Sequence, residues 1–374
     1  MNTRSGVIDA AALMDVALAC AREGLLRTSP NPRVGCVISN GDGFVLGWGS
    51  TQRAGGPHAE IMALRDAKSR GHSVVGATAY VTLEPCSHHG RTGPCCDALV
   101  EAGIAKVVAS LADPNPLVAG NGFSRLRAAG VDVEVGLGAA QARELNLGFF
   151  SRMVRQTPWV RMKVAASLDG TTALNNGASQ WITGPEARAD GHAWRARACA
   201  VLTGIGTVLA DDPRLDVREV HTERQPALVL VDSDLQVPLN ASIFIAARDL
   251  YIYAAAQNHA KKNALEAMGA TVVVMPNEHG KVDLPAMMKD LARREINELH
   301  VEAGSKLNGS LVREGLVDEL LVYLAPKLIG EGRGMLQWGP LEELSHALAL
   351  DFKAVDKVGG DVRLVARVAG RDCF

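Results

Sequence analysis

The sequence predicts an α/β protein of two domains, and three observations carry that expectation. The chain has 374 residues, enough for two units that each bury a core. Short β-branched apolar runs alternate with segments of helical periodicity in both halves, the pattern that wraps helices around a sheet. Between the halves, Arg155-Gln156-Thr157-Pro158 ends an amphipathic helix at a proline. We place the boundary near residue 150, giving domains 1–150 and 151–374.

Composition narrows the class. A hydrophobic share of 47% and a charged share of 21% are ordinary for globular chains and exclude disordered and fibrous proteins. The formal net charge of -2 offers no global attraction to nucleic acid and leaves small anionic substrates to local patches. Seven cysteines are an odd number with no even framework to bridge, which points to a reducing compartment and to metal-bound or buried thiols. Asp9 and Asp15 interrupt the N-terminal apolar run, so no signal peptide is expected. No window is long and apolar enough for a membrane span. A cytoplasmic enzyme is the expectation.

In the first half, Asp9 can cap a helix whose apolar stripe is Leu13, Val16, Ala17 and Cys20, ending near Gly24. The turn signal Pro30-Asn31-Pro32 precedes a hairpin of Val34 to Ser39 and Phe44 to Gly49, joined through Gly41-Asp42-Gly43. Ile61, Leu64 and Ala67 mark a helix that begins at His58. Ala79 to Leu83 reads as a strand delivering Cys86 to its C-terminal edge. Pro94 suits the first turn of a helix from Cys95 to Ala102, closed by Gly103. A strand at Lys106 to Leu111, a helix at Gly122 to Ala129, a strand at Val131 to Val135 and a helix from Ala139 to Met153 complete this half.

The stretch His58 to Cys96 carries the chemistry. His58, Cys86 and Cys95 offer one imidazole and two thiolates, three protein ligands that leave one tetrahedral position of a single zinc ion open, as catalytic sites require. Glu60, two residues from the ligand histidine, is placed to act as general acid and base on a water held there. Zinc deaminases carry His-x-Glu followed by Pro-Cys-x-x-Cys. Here eight residues, not two, separate Cys86 from Cys95. That longer loop holds Ser87, His88, His89, Arg91 and Thr92, a polar set that reads as a substrate lip gripping an anion through the arginine and the hydroxyl. The plain alternative is a solvated loop.

In the second half, strands are expected at Trp159 to Gly170, Ala200 to Thr203, Ala227 to Val231, Leu250 to Ala254, Thr271 to Met275, Leu299 to Glu302, Glu319 to Leu324 and Val362 to Arg367. Helices are expected at Pro185 to Cys199, Ala260 to Met268 and Leu284 to Arg294. Two strand ends could hold a dinucleotide. Thr203-Gly204-Ile205-Gly206-Thr207 lacks the third glycine and the ribose-binding acid of the Rossmann pattern. At Val301 to Ser310, a strand runs through Gly304-Ser305 into a helix start, where backbone N–H groups can cradle phosphate. The plain alternative for each is a tight strand-to-helix turn.

Three quoted stretches carry a resemblance: Ser29-Pro30-Asn31-Pro32-Arg33-Val34-Gly35-Cys36-Val37, His58-Ala59-Glu60, and Leu83-Glu84-Pro85-Cys86 through Gly93-Pro94-Cys95-Cys96. The sequence resembles the bifunctional riboflavin-biosynthesis deaminase-reductases nearly end to end, departing at Gly93, where proline is expected. The resemblance implies a cytidine-deaminase-like three-layer α/β/α domain followed by a dihydrofolate-reductase-like α/β domain. It implies that Asn31, His88, Arg91 and Thr92 meet the pyrimidine ribosyl phosphate. In the second domain it implies NADPH contacts at Ala165, Trp181, Thr207, Asp211, Ser233 and the turn Gly304, Ser305, Lys306, Leu307, Asn308, Gly309, Ser310. Substrate contacts follow at Ser179, Leu215, Arg218 and Glu302. The hydride step does not itself require a protein acid, and Lys163 and Asp169 are candidate helpers for it. Deamination would be followed by reduction of the ribosyl group to ribityl in a homo-oligomer.

Three rival readings remain in view. A nucleic-acid deaminase is disfavoured by the near-neutral charge. A structural zinc protein would need a fourth ligand, which Cys96, His88 or His89 could supply. A deaminase with an inactive or differently used second domain is the third.

Overall fold

A computed structural model of the chain describes residues 9–87, 93–116 and 118–374. Contacts divide the chain into two compact units that part between Arg155 and Gln156.

The first unit is built on a five-stranded sheet in the order Val45–Ser50, Gly35–Ser39, Thr78–Val81, Lys106–Ala109, Asp132–Val135. The first two pairings are antiparallel and the last two parallel. Helices cover both faces. Leu13, Met14 and Leu18 of the helix Ala10–Glu23 pack on Val37, Tyr80 and Val108. The helix Ala59–Ser69 lies on the other face, so close that a Cβ at Gly47 would stand 2.4 Å from the Ala63 carbonyl; one at Gly35 would stand 1.9 Å from that of Ala17. Glycine is what lets both layers reach the sheet.

Asp9 caps the first helix by accepting from the Ala12 N–H at 2.8 Å. Val16, expected in the stripe, is exposed, and the buried stripe runs instead through Leu13, Met14, Ala17, Leu18, Cys20 and Ala21. The helix expected from Ala139 to Met153 is three pieces: Ala139–Leu145, Leu147–Phe150 and a π-helical turn Ser151–Arg155. Asn146 makes the break, because its buried amide accepts from the Arg33 N–H at 2.8 Å and donates to the Arg33 carbonyl at 2.9 Å. The strand into the metal loop ends at Val81, since Thr82 turns both its N–H and its hydroxyl to Gly35.

The second unit has a nine-stranded sheet in the order Ala270–Val274, Leu250–Ala254, Ala227–Val231, Ala200–Gly204, Glu298–Val301, Trp159–Ser167, Glu319–Ala325, Asp361–Val368, Leu350–Val358. All pairings are parallel up to Glu319–Ala325, and the last two are antiparallel. Its parallel strands alternate sides: Ala200 and Leu202 join the core with Met287, Met288 and Leu291, while Val201 joins that of Leu228, Leu230 and Leu265. Three strands had no sequence expectation: Thr171–Leu174 and Gly332–Gly334, which pair with each other, and the edge strand Leu350–Val358. The edge strand mixes Asp351, Lys353, Asp356 and Lys357 with apolar residues and is mostly exposed, so it lacks the buried run that marks its neighbours.

A candidate metal centre and an arginine-rich cluster

Helix start, strand end and a second helix start bring the three expected ligands together. His58 occupies the N-cap position of Ala59–Ser69 in extended backbone, yet its ring makes no capping bond. Its Nδ1 lies 3.5 Å from Cys86 Sγ and 3.4 Å from Cys95 Sγ. The three donor atoms lie within 4.8 Å of one another. Zinc at about 2.3 Å from sulfur and about 2.0–2.1 Å from nitrogen, at a tetrahedral angle, sets N and S about 3.5 Å apart. The residues fit the ion.

Electrostatics agree. The Cys95 thiol donates to Cys86, and His58 adds to this, so that Cys86 falls from a usual 9.0 to about 4 against the opposition of burial. The same bond, with burial, pushes Cys95 up. A bound dication would favour the thiolate form of both cysteines. The Cys95 N–H also donates to Cys86 Sγ at 3.4 Å. Glu60 is buried, and burial, with the Cys86 sulfur beside it, lifts its carboxyl from 4.5 to about 7, opposed by His58. A carboxyl near neutrality can both take and return a proton.

Cys96 is not a fourth ligand. Its thiol donates to the Pro85 carbonyl at 3.1 Å and approaches that of Gly122 at 3.5 Å. Among the described residues, His58, Cys86 and Cys95 are the whole group that could hold a metal. His88, Arg91 and Thr92, with His89, lie outside the described residues. Asn31 sits half-buried in the loop before Gly35–Ser39, with its N–H on the Thr28 carbonyl at 2.9 Å.

In the second unit, Ala200–Gly204 and Glu298–Val301 are adjacent parallel strands, and each leads directly into a helix, Ile205–Asp211 and Ser305–Arg313. A Cβ on Gly304 would stand 3.8 Å from the Thr207 hydroxyl, so the two helix starts lie side by side at the C-terminal edge of the sheet. Asp211 ends its helix exposed. Ala165 lies on Trp159–Ser167, next to Tyr323 of the neighbouring strand. Ser233 follows Ala227–Val231, its carbonyl accepting from Ala255 and Ala256. Gly304, Ser305 and Lys306 form the start of their helix; farther on, Leu307 packs on the core, Asn308 donates to the Met335 carbonyl at 3.0 Å, Gly309 lies against Gln337, and the Ser310 hydroxyl donates to the Lys306 carbonyl at 3.2 Å. Trp181 is exposed beneath the Arg188 guanidinium, 4.6 Å from its ring centre, and Ser179 lies in the same loop.

Around Glu302 the structure gathers groups that no local motif announces. Arg195 grips its carboxylate with two bonds, at 2.7 and 3.0 Å, and Lys163 Nζ stands 3.9 Å away. Burial would raise the Glu302 carboxyl, but Arg195, Lys163 and His300 hold it well below the usual carboxylate range. Burial, reinforced by Arg195, lowers Lys163. Buried Asp216 holds Arg214 at 2.6 Å and Arg218 at 3.0 Å, and Leu215 beside it is buried with φ 53°. His192 Nδ1 accepts from the Arg218 N–H at 3.3 Å. Asp169 accepts from the N–H groups of Ile329 and Gly330 and from the Ser167 hydroxyl, which ties down a turn. Arg195, His192 and Asp216 were missed because each lies in a helix or loop with other charged residues and nothing local sets it apart.

Residues 8–111 match the cytidine and deoxycytidylate deaminase zinc-binding region, and residues 158–364 the RibD C-terminal domain. Site and fold therefore define a zinc deaminase joined to an α/β reductase that uses NADPH. The riboflavin biosynthesis protein RibD of Escherichia coli is 46% identical over 93% of this chain and 96% of its own, and that of Aquifex aeolicus 40% identical over 93% and 96%. The chain belongs to the riboflavin-biosynthesis deaminase-reductase family. The solved structure of Acinetobacter baumannii RibD, form 1, superposes with a TM-score of 0.88 at 40% identity, covering 96% of this chain and 98% of that one. A Thermotoga maritima structure, described as a diaminohydroxyphosphoribosylaminopyrimidine deaminase and 5-amino-6-(5-phosphoribosylamino)uracil reductase, gives 0.85 at 30% identity with the same coverage. Among the described residues no helix is long and apolar enough to cross a membrane.

Proposed function

We propose that this chain acts on the diaminohydroxyphosphoribosylaminopyrimidine that the Thermotoga protein's description names, and that it works in the cytoplasm on this small molecule. Water replaces the exocyclic amine and ammonia leaves; the ribosyl group is then reduced to ribityl. The observation that carries the reading is the convergence of His58, Cys86 and Cys95 beside the buried, near-neutral Glu60.

Zinc held by those three ligands supplies Lewis acidity and lowers the pKa of a water. Glu60 takes the first proton of the water and delivers it to the ring nitrogen, then takes the second from the hydroxyl newly attached to the ring carbon and passes it to the amine, which leaves as ammonia while the carbonyl forms. Asn31, with its amide, is assigned to the pyrimidine edge, and His88, Arg91 and Thr92 to the lip over the sugar phosphate.

NADPH bound to the second unit would supply the hydride that reduces the open form of the sugar. Gly304 to Ser310, Thr207, Asp211, Ser233, Ala165 and Trp181 are assigned to the dinucleotide, supported by the paired helix starts at the sheet edge. Ser179, Leu215, Arg218 and Glu302 are assigned to substrate. Arg218, its fork half exposed and braced by Asp216, suits the phosphate, and Lys163, with its lowered pKa, is the donor of the proton that accompanies the hydride.

A homo-oligomer is supported by the edge strand Leu350–Val358, where Leu350, Phe352 and Val355 are exposed. A two-fold axis at Ala354 would set Asp351 against Lys357 twice.

The test is one tube of zinc-loaded protein with the diaminopyrimidine substrate and NADPH. Ammonia release that chelation abolishes, followed by NADPH oxidation, is the expected result. Ammonia without oxidation would overturn the reductase half, and neither signal would overturn both.

A further inference from the structure

Glu84 immediately precedes the Pro85-Cys86 pair, and its side chain has an unusual set of partners. The residue is 4% exposed. Its Oε1 accepts from the N–H groups of Gly122, at 2.8 Å, and Phe123, at 3.2 Å. Its Oε2 accepts from those of Asp113 and Gly120, both at 3.0 Å. One carboxylate thus holds four backbone donors from a segment about thirty residues away.

The other bonds around it lead to the metal ligands. The Pro85 carbonyl accepts from the Cys96 thiol, which also approaches the Gly122 carbonyl. The Cys96 N–H donates to the Cys86 carbonyl at 3.2 Å, and the Cys95 N–H to Cys86 Sγ. A Cβ at Gly122 would meet the Pro85 carbonyl at 2.1 Å, so this backbone contact admits no side chain. On the far side of Cys86, Arg125 donates to the Ser87 carbonyl at 3.0 Å and pairs with Asp97. The backbone from residue 84 to 87 is therefore fixed at both ends by the helix Asn121–Ala128 and the loop before it.

We infer that Glu84 is a positioning residue for the metal centre: its carboxylate anchors the Asp113–Phe123 segment and so fixes the direction of the Cys86 sulfur. Only an ionised carboxylate offers acceptors to all four donors. A glutamine keeps the shape but turns an NH2 toward two N–H groups, which leaves those two without an acceptor and drives the backbone apart. Outer-shell partners of this kind commonly change metal affinity by about 10–100-fold.

This inference rests on the zinc reading of His58, Cys86 and Cys95, and the test separates the two. Zinc affinity is measured by chelator competition on full-length wild type and Glu84→Gln, and the cobalt-substituted proteins are compared by their visible d–d absorption. The second unit's NADPH oxidation with supplied deaminated substrate serves as a control on the fold. The expected result is a loss of about 10–100-fold in zinc affinity and a shifted cobalt band, with NADPH oxidation unchanged. A lowered melting temperature with wild-type zinc affinity and cobalt spectrum would reduce Glu84 to a fold-stabilising residue and overturn the inference. A wild-type protein that binds no zinc would instead overturn the metal reading itself. Should Glu84→Gln fail to fold, Gly122→Ala keeps the carboxylate but crowds both the Pro85 carbonyl, at 2.1 Å, and Glu84 Oε1, at 3.0 Å, and so disturbs the same anchor from its other side. That variant is expected to shift the cobalt band, and a wild-type band would overturn the positioning role of Glu84.

Discussion

The metal corner of the first unit and the arginine cluster of the second are assembled in opposite ways. The corner takes His58 and Glu60 from one helix start and Cys86 and Cys95 from the two ends of one loop. The cluster draws Lys163, His192, Arg195, Asp216 and Glu302 from separate strands, a helix and a loop, and Arg195 pairs with Glu302 across 107 positions. A metal site can be local because a dication organises any few donors that reach it. A site made from paired charges needs each charge neutralised by a partner before it can be buried.

If that contrast is right, the two chemistries can be broken separately, and the largest effect belongs to Glu60. Glu60→Gln keeps the shape and loses the proton carrier, so ammonia release should fall by about 10²–10⁴-fold. Zinc content, read by metal analysis, and NADPH oxidation on supplied deaminated substrate should not change. Equal losses in both activities would mean that the residue supports the fold rather than the chemistry.

The next effect is on stability and sets a buried pair against an exposed one. Arg195→Ala strips Glu302 of its bidentate partner at a site where Arg195 is 10% and Glu302 13% exposed. Breaking such a pair costs about 3–5 kcal/mol. Arg125 and Asp97 of the first unit are 46% and 32% exposed, and Arg125→Ala should lower stability by about 1 kcal/mol or less. Urea unfolding of the two variants, followed by probes in each unit, measures both; similar losses would erase the contrast.

How much of this was legible follows from the same difference. His58, Glu60, Cys86 and Cys95 could be read because their spacing is itself the chemistry, and the strands of the second sheet because burial on both faces leaves runs such as Ala227–Val231. Asn146 could not be read as a helix break, since the bond that causes it goes to Arg33, 113 positions away. The edge strand Leu350–Val358 is exposed and so carries no core pattern. Glu84 stood in plain view before Pro85-Cys86, but its four donors lie beyond residue 112 and only the fold brings them to it. In the second unit the two strand-to-helix turns at Gly204 and Gly304 could be read as candidate dinucleotide sites, and the other contacts came from resemblance; Arg195, which no motif marks, emerged only with the structure.

Acid should weaken the second unit through its buried imidazoles. Burial, with Arg195 and Arg218 adding, takes His192 from 6.5 to about 4, and burial takes His300 to about 3. Above pH 6.5 neither the folded nor the unfolded state protonates them, and their contribution is fully present. As pH falls below 6.5 the unfolded chain binds protons that the folded unit refuses, so stability is lost toward pH 4. The urea midpoint of the second unit should therefore drop between pH 7 and pH 5, before ordinary carboxylates titrate. A flat profile there would show that these rings are not held neutral.

The smallest effect tests whether the cluster's outer arginine recognises phosphate. Arg218 is 47% exposed and shares Asp216 with Arg214, so Arg218→Ala leaves the buried carboxylate still paired and should cost the fold little. What it removes is a fork able to make charge-assisted bonds to a phosphate, a loss of about tenfold in KM for the reductase step. The substrate without its phosphate separates recognition from loop geometry. Wild type and variant should handle it alike if the fork binds phosphate, whereas a KM raised for both substrates would mean that Arg218 shapes the loop around Leu215. Arg218→Lys, which keeps the charge and loses the fork, should fall between the two, because a point charge still attracts the phosphate but cannot grip two of its oxygens.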